Sequence, residues 1–381
     1  RGLGDVYKRQ MVCMGLLLVL SSCHTGKQIT ASGLQRKDFQ TEVNGQHTDL
    51  FTLSNKQGME VCITNYGARV VSILVPDRNG KREDVVCGFS TITEYMEQRQ
   101  NFGSTVGRYI GRILNARFTL DGVEYKLVPN NGKSGHISHG GNPGFADRIW
   151  KVEQADTHRV RLSYLSPDGE NGFPGNLKVT LVYSLGEDDN ALDLTYEATT
   201  DAPTVLNLSH HSFFNISGNF TKSVEDQQLW VDADRFTPYD DKKCVTGEYL
   251  PVAGTPLDFR MPHAIGECID ADHPQLKVVN GYDHTWELNT KGDDTRPAAW
   301  VYDPASGRKM EIFTTEPGMQ IYTGNGLKGK MTGKGGIAYP FRSAVCFETM
   351  HFQDSPNQPG FPSTVLRPGE VFRSHTVYKF E

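Results

Sequence analysis

Leu177-Lys178-Val179-Thr180-Leu181-Val182-Tyr183-Ser184-Leu185 places an apolar residue at every second position from Leu177 to Leu185. Two residues is the side-chain period of a β-strand, so this stretch reads as a strand with one buried and one wet face. The same alternation precedes it in Arg159-Val160-Arg161-Leu162-Ser163-Tyr164, follows it in Ala191 to Tyr196, and returns near the end of the chain in Phe372 to Phe380. Hairpin signals sit between comparable runs. Asp121-Gly122 separates Phe118-Thr119-Leu120 from Val123-Glu124-Tyr125, and Ser306-Gly307 separates Trp300-Val301-Tyr302 from Met310-Glu311-Ile312. Such pairs tolerate the positive φ that tight hairpins require. No uninterrupted amphipathic helix of several turns is present, and Thr91 to Gln100 is the best short candidate. No internal repeat at a fixed period interrupts the pattern. The fold class expected is all-β, one large antiparallel β-sandwich with few short helices.

Composition sets the bounds within which that reading holds. The chain has 381 residues, 37% hydrophobic and 22% charged, enough for a large core and unlike a disordered, collagenous, coiled-coil or polytopic membrane chain. Gly 39 and Pro 19 supply the turns that many short strands need. Lys+Arg 39 against Asp+Glu 45 leaves a net charge of −6 with no basic block, so nucleic acid is not an expected partner.

The first residues carry an address. After the polar stretch Arg1 to Gln10 and Met11, an apolar run from Met14 to Leu20 has the length of a signal-peptide core and is too short to span a bilayer. Leu20-Ser21-Ser22-Cys23 resembles the lipobox of bacterial lipoproteins, in which the cysteine is diacylated and becomes the first mature residue. Residues 1–22 are therefore read as an N-terminal extension and lipoprotein signal peptide. Residues 23–37 are read as the lipidated Cys23 and a polar tether, and 38–381 as the sandwich. The expected location is the cell envelope, with the membrane engaged only through the lipid on Cys23. His24, where an aspartate often marks inner-membrane retention, points to an outer-membrane address. Of the seven cysteines, Cys62, Cys87, Cys244, Cys268 and Cys346 remain after Cys13 and Cys23, an odd number without a CxxC pair. Neither a disulfide framework nor a zinc knuckle is implied. Cys62, Cys87 and Cys346 lie in apolar runs, where each reads as a buried small hydrophobe.

The chemistry has to come from polar residues set into the strands. Four of the twelve histidines fall in two groups: His136 and His139, and the adjacent His210-His211, of which at most one can face a given cleft. Zinc held by His139, one of that pair and a carboxylate is one alternative, although no compact spacing such as H-E-x-x-H is present. Glu348 ends the apolar run Ala344 to Phe347, and Asp283 is flanked by aromatics in Gly281-Tyr282-Asp283-His284-Thr285-Trp286. Burial raises a carboxylate's pKa and can suit it to be a general base. Arg108 and Arg112, four apart between glycines, can each fork hydrogen bonds to a sugar or carboxylate, and alternation alone does not choose between them.

Asn101-Phe102-Gly103, Gly107-Arg108, Arg112-Ile113, His139-Gly140-Gly141, Asp168-Gly169-Glu170-Asn171-Gly172-Phe173-Pro174-Gly175, Asn207-Leu208, His211-Ser212-Phe213-Phe214-Asn215, Gly281-Tyr282-Asp283-His284, Gln320-Ile321-Tyr322 and Phe347-Glu348-Thr349 occur in this order. Together they resemble the aldose 1-epimerase (galactose mutarotase) family, over roughly Asn65 to Phe380. The resemblance implies a single-domain sandwich with an open cleft, acting on a free monosaccharide such as galactose or glucose, as a monomer or dimer, without metal or cofactor. It implies Glu348 as general base and His211 as general acid, Arg112, His139 and Asp283 as sugar-binding residues, and Gln320 in the same shell. It assigns His136 no role. His210 stands where an asparagine is expected and Gly111 where one often precedes the arginine, departures that bear on hydroxyl recognition. Phe213 and Tyr282 can stack on a sugar face, but core packing is the better reading of both. Two other functions use the same residues: a non-catalytic carbohydrate-binding sandwich, or a glycosidase with Glu348 and Asp283 as its carboxylates.

Overall fold

Leu177–Leu185 is a strand along its whole length, odd positions buried and even ones at least partly exposed, in the computed structural model, which describes residues 28–381. Cys23 and the signal-like run lie outside the described residues. The strand pairs antiparallel with Arg159–Ser166 on one side and Ala191–Thr200 on the other. They belong to a nine-stranded sheet in the order Lys151–Ala155, Arg159–Ser166, Leu177–Leu185, Ala191–Thr200, Phe372–Phe380, Lys309–Thr314, Ala299–Tyr302, Gln228–Val231, His263–Ala264. The late strand Phe372–Phe380 is thus the fifth of nine, between two strands far from it in sequence.

A six-stranded sheet runs Phe213–Phe214, Val345–Met350, Gly318–Tyr322, Asp283–Glu287, Arg235–Thr237, Leu250–Pro251. Leu181, Tyr183, Leu194, Ile312 and Tyr378 of the larger sheet share one core with Trp286, Ile321 and Phe347 of the smaller, so the two pack face to face. The all-β sandwich expected from the alternation is the fold observed. Asp121 and Gly122 both take positive φ, 51° and 80°, as a type I′ hairpin between Arg117–Leu120 and Val123–Lys126 demands. The helical candidate becomes Ile92–Gln98, started by a Thr91–Glu94 capping box. A second helix, Pro274–Val279, was not legible in the sequence because six residues are too few to show a helical period.

Residues 28–37 correct the tether reading. The Ala31 and Ser32 N–H groups donate to the Glu60 carboxylate at 2.7 and 3.2 Å, Ile29 bridges Gln35, and Leu34 is buried with Phe39 and Leu50. Leu34 and, just beyond the stretch, Phe39 give no period to read, yet each fills a place against the four-stranded sheet that begins with Leu50–Ser54. Cys62, Cys87 and Cys346 are buried free thiols.

Candidate active site

Three neighbouring strands of the six-stranded sheet bring acid and amide groups side by side. In Val345–Met350, Phe347 enters the inter-sheet core and Thr349 Oγ1 meets Thr376 Oγ1 of the larger sheet at 2.7 Å. The two-residue period therefore turns Glu348 and Met350 to the opposite face. Met319 and Ile321 are core residues, so Gln320 and Tyr322 face with Glu348; Trp286 is core, so Asp283 and Thr285 do likewise. The register sets Gln320 opposite Glu348, Thr285 opposite Gln320, and Asp283 opposite Tyr322. Gln320 Nε2 donates to Asp283 Oδ1 at 2.7 Å, which holds both side chains still.

The strand Ser209–His211, paired with Ser104–Val106, divides the adjacent histidines. His210 turns into the core, its Nε2 2.6 Å from Ser212 Oγ and its ring 6.2 Å from that of Tyr183. His211 faces the cleft with Nε2 3.5 Å from Glu348 Oε1, stacked on Phe213 at 5.1 Å and edge-on to His139 at 5.4 Å. The expected influence of His210 on hydroxyl recognition is corrected: it lies on the far side of its strand from the cleft. Tyr282 is wholly buried with Phe259 and Trp286, a core residue as expected, whereas Phe213 is both core and cleft wall.

The arginines separate as well. Gly111 takes φ +76°, so the segment from Arg108 to Arg112 is not extended and the two do not point together. Arg108 is buried and donates to Pro174 O at 2.7 Å, Gly175 O at 3.0 Å and Ser166 Oγ at 2.6 Å, tying together the two ends of the connection from Ser166 to Gly175. Arg112 opens a two-residue strand opposite Ile137–Ser138 and lines the cleft. His139 follows that strand with φ 53°; its N–H donates to Gly111 O at 2.9 Å, and its Nδ1 accepts the Gly111 N–H at 3.4 Å. The neutral ring thus carries its proton on Nε2, a donor free for a ligand. Burial, then the charge of Arg112, pulls His139 down to about 4.

Glu348, His211, Arg112, His139, Asp283 and Gln320 all line this one cleft of about 250 Å³. His136 lies outside it, its Nε2 3.3 Å from Cys244 Sγ. Sequence reasoning assigned no role to Asn101, Tyr322 or Gln353, which also line the cleft. Gln353 Nε2 donates to Tyr239 Oη at 2.7 Å and to Gln320 Oε1 at 3.3 Å. A Cβ on Gly111 would stand 2.6 Å from Gln353 Cγ, so Gln353 occupies the space that a side chain at 111 would need. Gln353 follows the end of its strand, where the two-residue period no longer says which way a side chain points.

Desolvation governs the charges. Burial, reinforced by the charge of Asp283, pushes the Glu348 carboxyl well above the usual carboxylate range. Burial, reinforced by His139, pulls His211 well below the usual histidine value. Asp283 is raised by burial, against the pull of Arg112. Both shifts favour the uncharged forms, so a proton shared by Glu348 and His211 is held by Glu348 in preference to His211 in the free cleft, and the pair then contains one group that can give a proton and one that can take one. Among the described residues, His211, Cys346 and Glu348 form one group with ligand atoms within 4.8 Å of one another. A metal there would engage the same acid and base, with a thiol in place of the His139 of the zinc alternative.

Residues 49–379 match the family model described as aldose 1-epimerase. The chain is 39% identical over 330 residues to galactose mutarotase of Sus scrofa, covering 87% of this chain and 93% of that one. It is 36% identical over 339 residues to aldose 1-epimerase of Escherichia coli, covering 88% and 96%. Among solved structures, it is similar to a GalM/aldose epimerase homologue from C. elegans, with TM-score 0.81, 31% identity, and 88% of this chain and 99% of the other covered. Galactose 1-epimerase from Lactobacillus acidophilus gives 0.77, 28%, 90% and 96%.

Proposed function

This chain belongs to the aldose 1-epimerase family and interconverts α and β anomers of an aldose, and from that premise we propose that Glu348 is its general base, His211 its general acid, and free D-galactose or D-glucose its substrate. The observation that carries the assignment is the 3.5 Å approach of His211 Nε2 to Glu348 Oε1 in a cleft otherwise lined with hydrogen-bonding groups. Anomers exchange when the proton of the C1 hydroxyl is removed and the ring oxygen is protonated, which breaks the bond from C1 to the ring oxygen and leaves an aldehyde. Sugar hydroxyls entering the cleft hydrogen-bond the Glu348 oxygens and favour the carboxylate, so the shared proton passes to His211. Glu348 then takes the C1 hydroxyl proton and His211 protonates the ring oxygen. Rotation about the bond from C1 to C2 turns the other carbonyl face to the oxygen, and reclosure returns both protons. The steps need no covalent nucleophile and consume nothing.

Each positioned acid or base contributes about 10² to 10⁴ in rate. Arg112, His139, Asp283 and Gln320 hold the remaining hydroxyls so that C1 and the ring oxygen stay between base and acid. Polarimetry of freshly dissolved α-D-galactose and α-D-glucose tests the reading. Approach to anomeric equilibrium faster than in buffer is expected, and the ratio of the two rates names the preferred sugar. Binding of sugar without acceleration would refute it.

The lipobox-like Leu20-Ser21-Ser22-Cys23 after the apolar run Met14 to Leu20 supports a lipid anchor on Cys23 and an envelope location, at the outer membrane. Fractionation of cells making wild type and Cys23→Ser tests this. Wild type should partition with membranes and the variant should not; wild type found only in cytosol would end the proposal.

A further inference from the structure

Gln353 stands in the wall of the cleft against Gly111, whose neighbour is Arg112. A second polar hollow shares Arg112 and His139 with the cleft but does not touch Gln353. The backbone is held on both sides of Gln353: Phe352 O accepts from Tyr109 Oη at 3.0 Å, and the Asp354 N–H donates to Arg112 O at 2.8 Å. Its side chain is buried, 4% exposed, and the network around it leaves its amide one orientation. A carboxylate only accepts hydrogen bonds, so Gln320 turns Nε2 to Asp283 and Oε1 away, towards Thr285 Oγ1 and Gln353. Gln353 must then present Nε2 to Gln320 Oε1, at 3.3 Å, and its other N–H goes to Tyr239 Oη at 2.7 Å. Both donors are engaged. Gln353 Oε1 accepts no hydrogen bond from any described residue and is not sealed off from the cleft. A side chain in this setting with an acceptor left over lacks a donor that the protein does not supply.

Resting on the base and acid assignment above, we propose that Gln353 is a specificity-determining residue whose Oε1 accepts a hydrogen bond from one sugar hydroxyl other than that on C1. The C1 hydroxyl is excluded because Glu348 takes it. An alcohol can accept from a guanidinium and donate to an amide oxygen at once, so a hydroxyl between Arg112 and Gln353 satisfies both. A ring carbon bearing hydrogen or an ether oxygen at that place offers no proton to donate and leaves Oε1 unpaired. The cleft thus selects aldoses with a free hydroxyl at that one carbon. Glycine at 111 belongs to the same device: a Cβ there would stand 2.6 Å from Gln353 Cγ and 3.2 Å from its Cδ, so any side chain at 111 displaces the amide.

The test is anomerisation of D-galactose and of its 2-, 3-, 4- and 6-deoxy analogues followed by polarimetry, with wild type, Gln353→Met and Gln353→Ala. Where a deoxy sugar is not turned over, its Ki against galactose replaces KM. Methionine keeps a side chain of similar length against Gly111 and removes only the amide, so the test does not depend on alanine leaving the wall intact. Each variant should raise KM for galactose and three of the analogues about fivefold more than for the fourth, the one that lacks the hydroxyl bound by Gln353. Fivefold is the weight of one neutral hydrogen bond. An equal factor for all five sugars, as from a side chain that only supports Gln320, or no change for any, would overturn the proposal. Failure of wild type itself to accelerate galactose would instead sink the base and acid assignment on which it rests.

Discussion

Glu348→Gln keeps the shape of the side chain and its reach towards His211 while removing its capacity to exchange a proton. On the proposed chemistry the variant loses about 10² to 10⁴ in kcat, or about 3 to 5 kcal/mol of barrier. Because base and acid act in the same step, Glu348→Gln combined with His211→Asn should be no slower than the slower single variant. Stability should move the other way. Glu348 is 3% exposed, and burial raises its folded pKa well above the 4.5 of a free glutamate. A carboxyl whose folded pKa is raised favours the fold below its unfolded pKa and costs it progressively as pH rises towards the folded value. The cost grows by about 1.4 kcal/mol per pH unit while the group stays protonated only in the native state. Glutamine abolishes that cost, so the stability advantage of the variant over wild type should widen with pH above 4.5 and then level off. Polarimetric rates give the first quantity, and urea titrations at a series of pH values give the second. A variant retaining more than about a tenth of wild-type kcat would refute the role of Glu348, since a general base supplies at least about tenfold more than that. Stability curves that run parallel would refute the claim that burial strains this carboxyl.

Other outcomes follow from the same geometry. Arg108→Ala should destabilise the fold by several kcal/mol in denaturant titrations, at about 1–3 kcal/mol for each buried acceptor left unpaired. Arg112→Ala should leave stability nearly unchanged and raise the sugar KM about 10- to 100-fold, the weight of a charged hydrogen bond. The pH profile of kcat/KM should be level through neutrality, bounded by the two apparent pKa values of the Glu348–His211 pair. Below the lower value the base is lost and above the higher one the acid is lost, so a fall in activity between pH 6 and 7, as from an ordinary histidine losing its proton, would contradict the shared proton. His375, bonded to Asp193 at 2.9 Å and Asp294 at 2.6 Å, is raised to about 9, chiefly by the bond to Asp193. Its stabilisation is complete below 6.5 and disappears as pH rises through about 9. His375→Gln should therefore lower Tm at pH 6 and leave it unchanged at pH 10.

The strands of the larger sheet were legible because one face meets the core and the other meets water, and Leu177–Leu185 and Phe372–Phe380 begin and end where alternation says. Alternation is a local signal. It could not say that Phe372–Phe380 lies between Ala191–Thr200 and Lys309–Thr314, because strand order depends on contacts between distant segments. Nor could it show residues 28–37 pinned to Glu60, since a few scattered apolar side chains have no period.

The sequence by itself determined the fold class and, through the ordered string of motifs, the family and the six residues proposed for the site. Residue types and their order along the chain suffice for that. Tertiary structure supplied the reason that Arg112 and not Arg108 meets the cleft: the positive φ of Gly111 breaks the alternation that would have paired the two. It showed His210 turned to the core and His211 to Glu348, and it alone set Gln353 into the space left by a glycine and joined a second polar hollow to the first. The direction in which a side chain faces follows from strand pairing and backbone dihedrals. The state of its proton follows from how much water and charge the fold leaves around it, and neither is written at any single position.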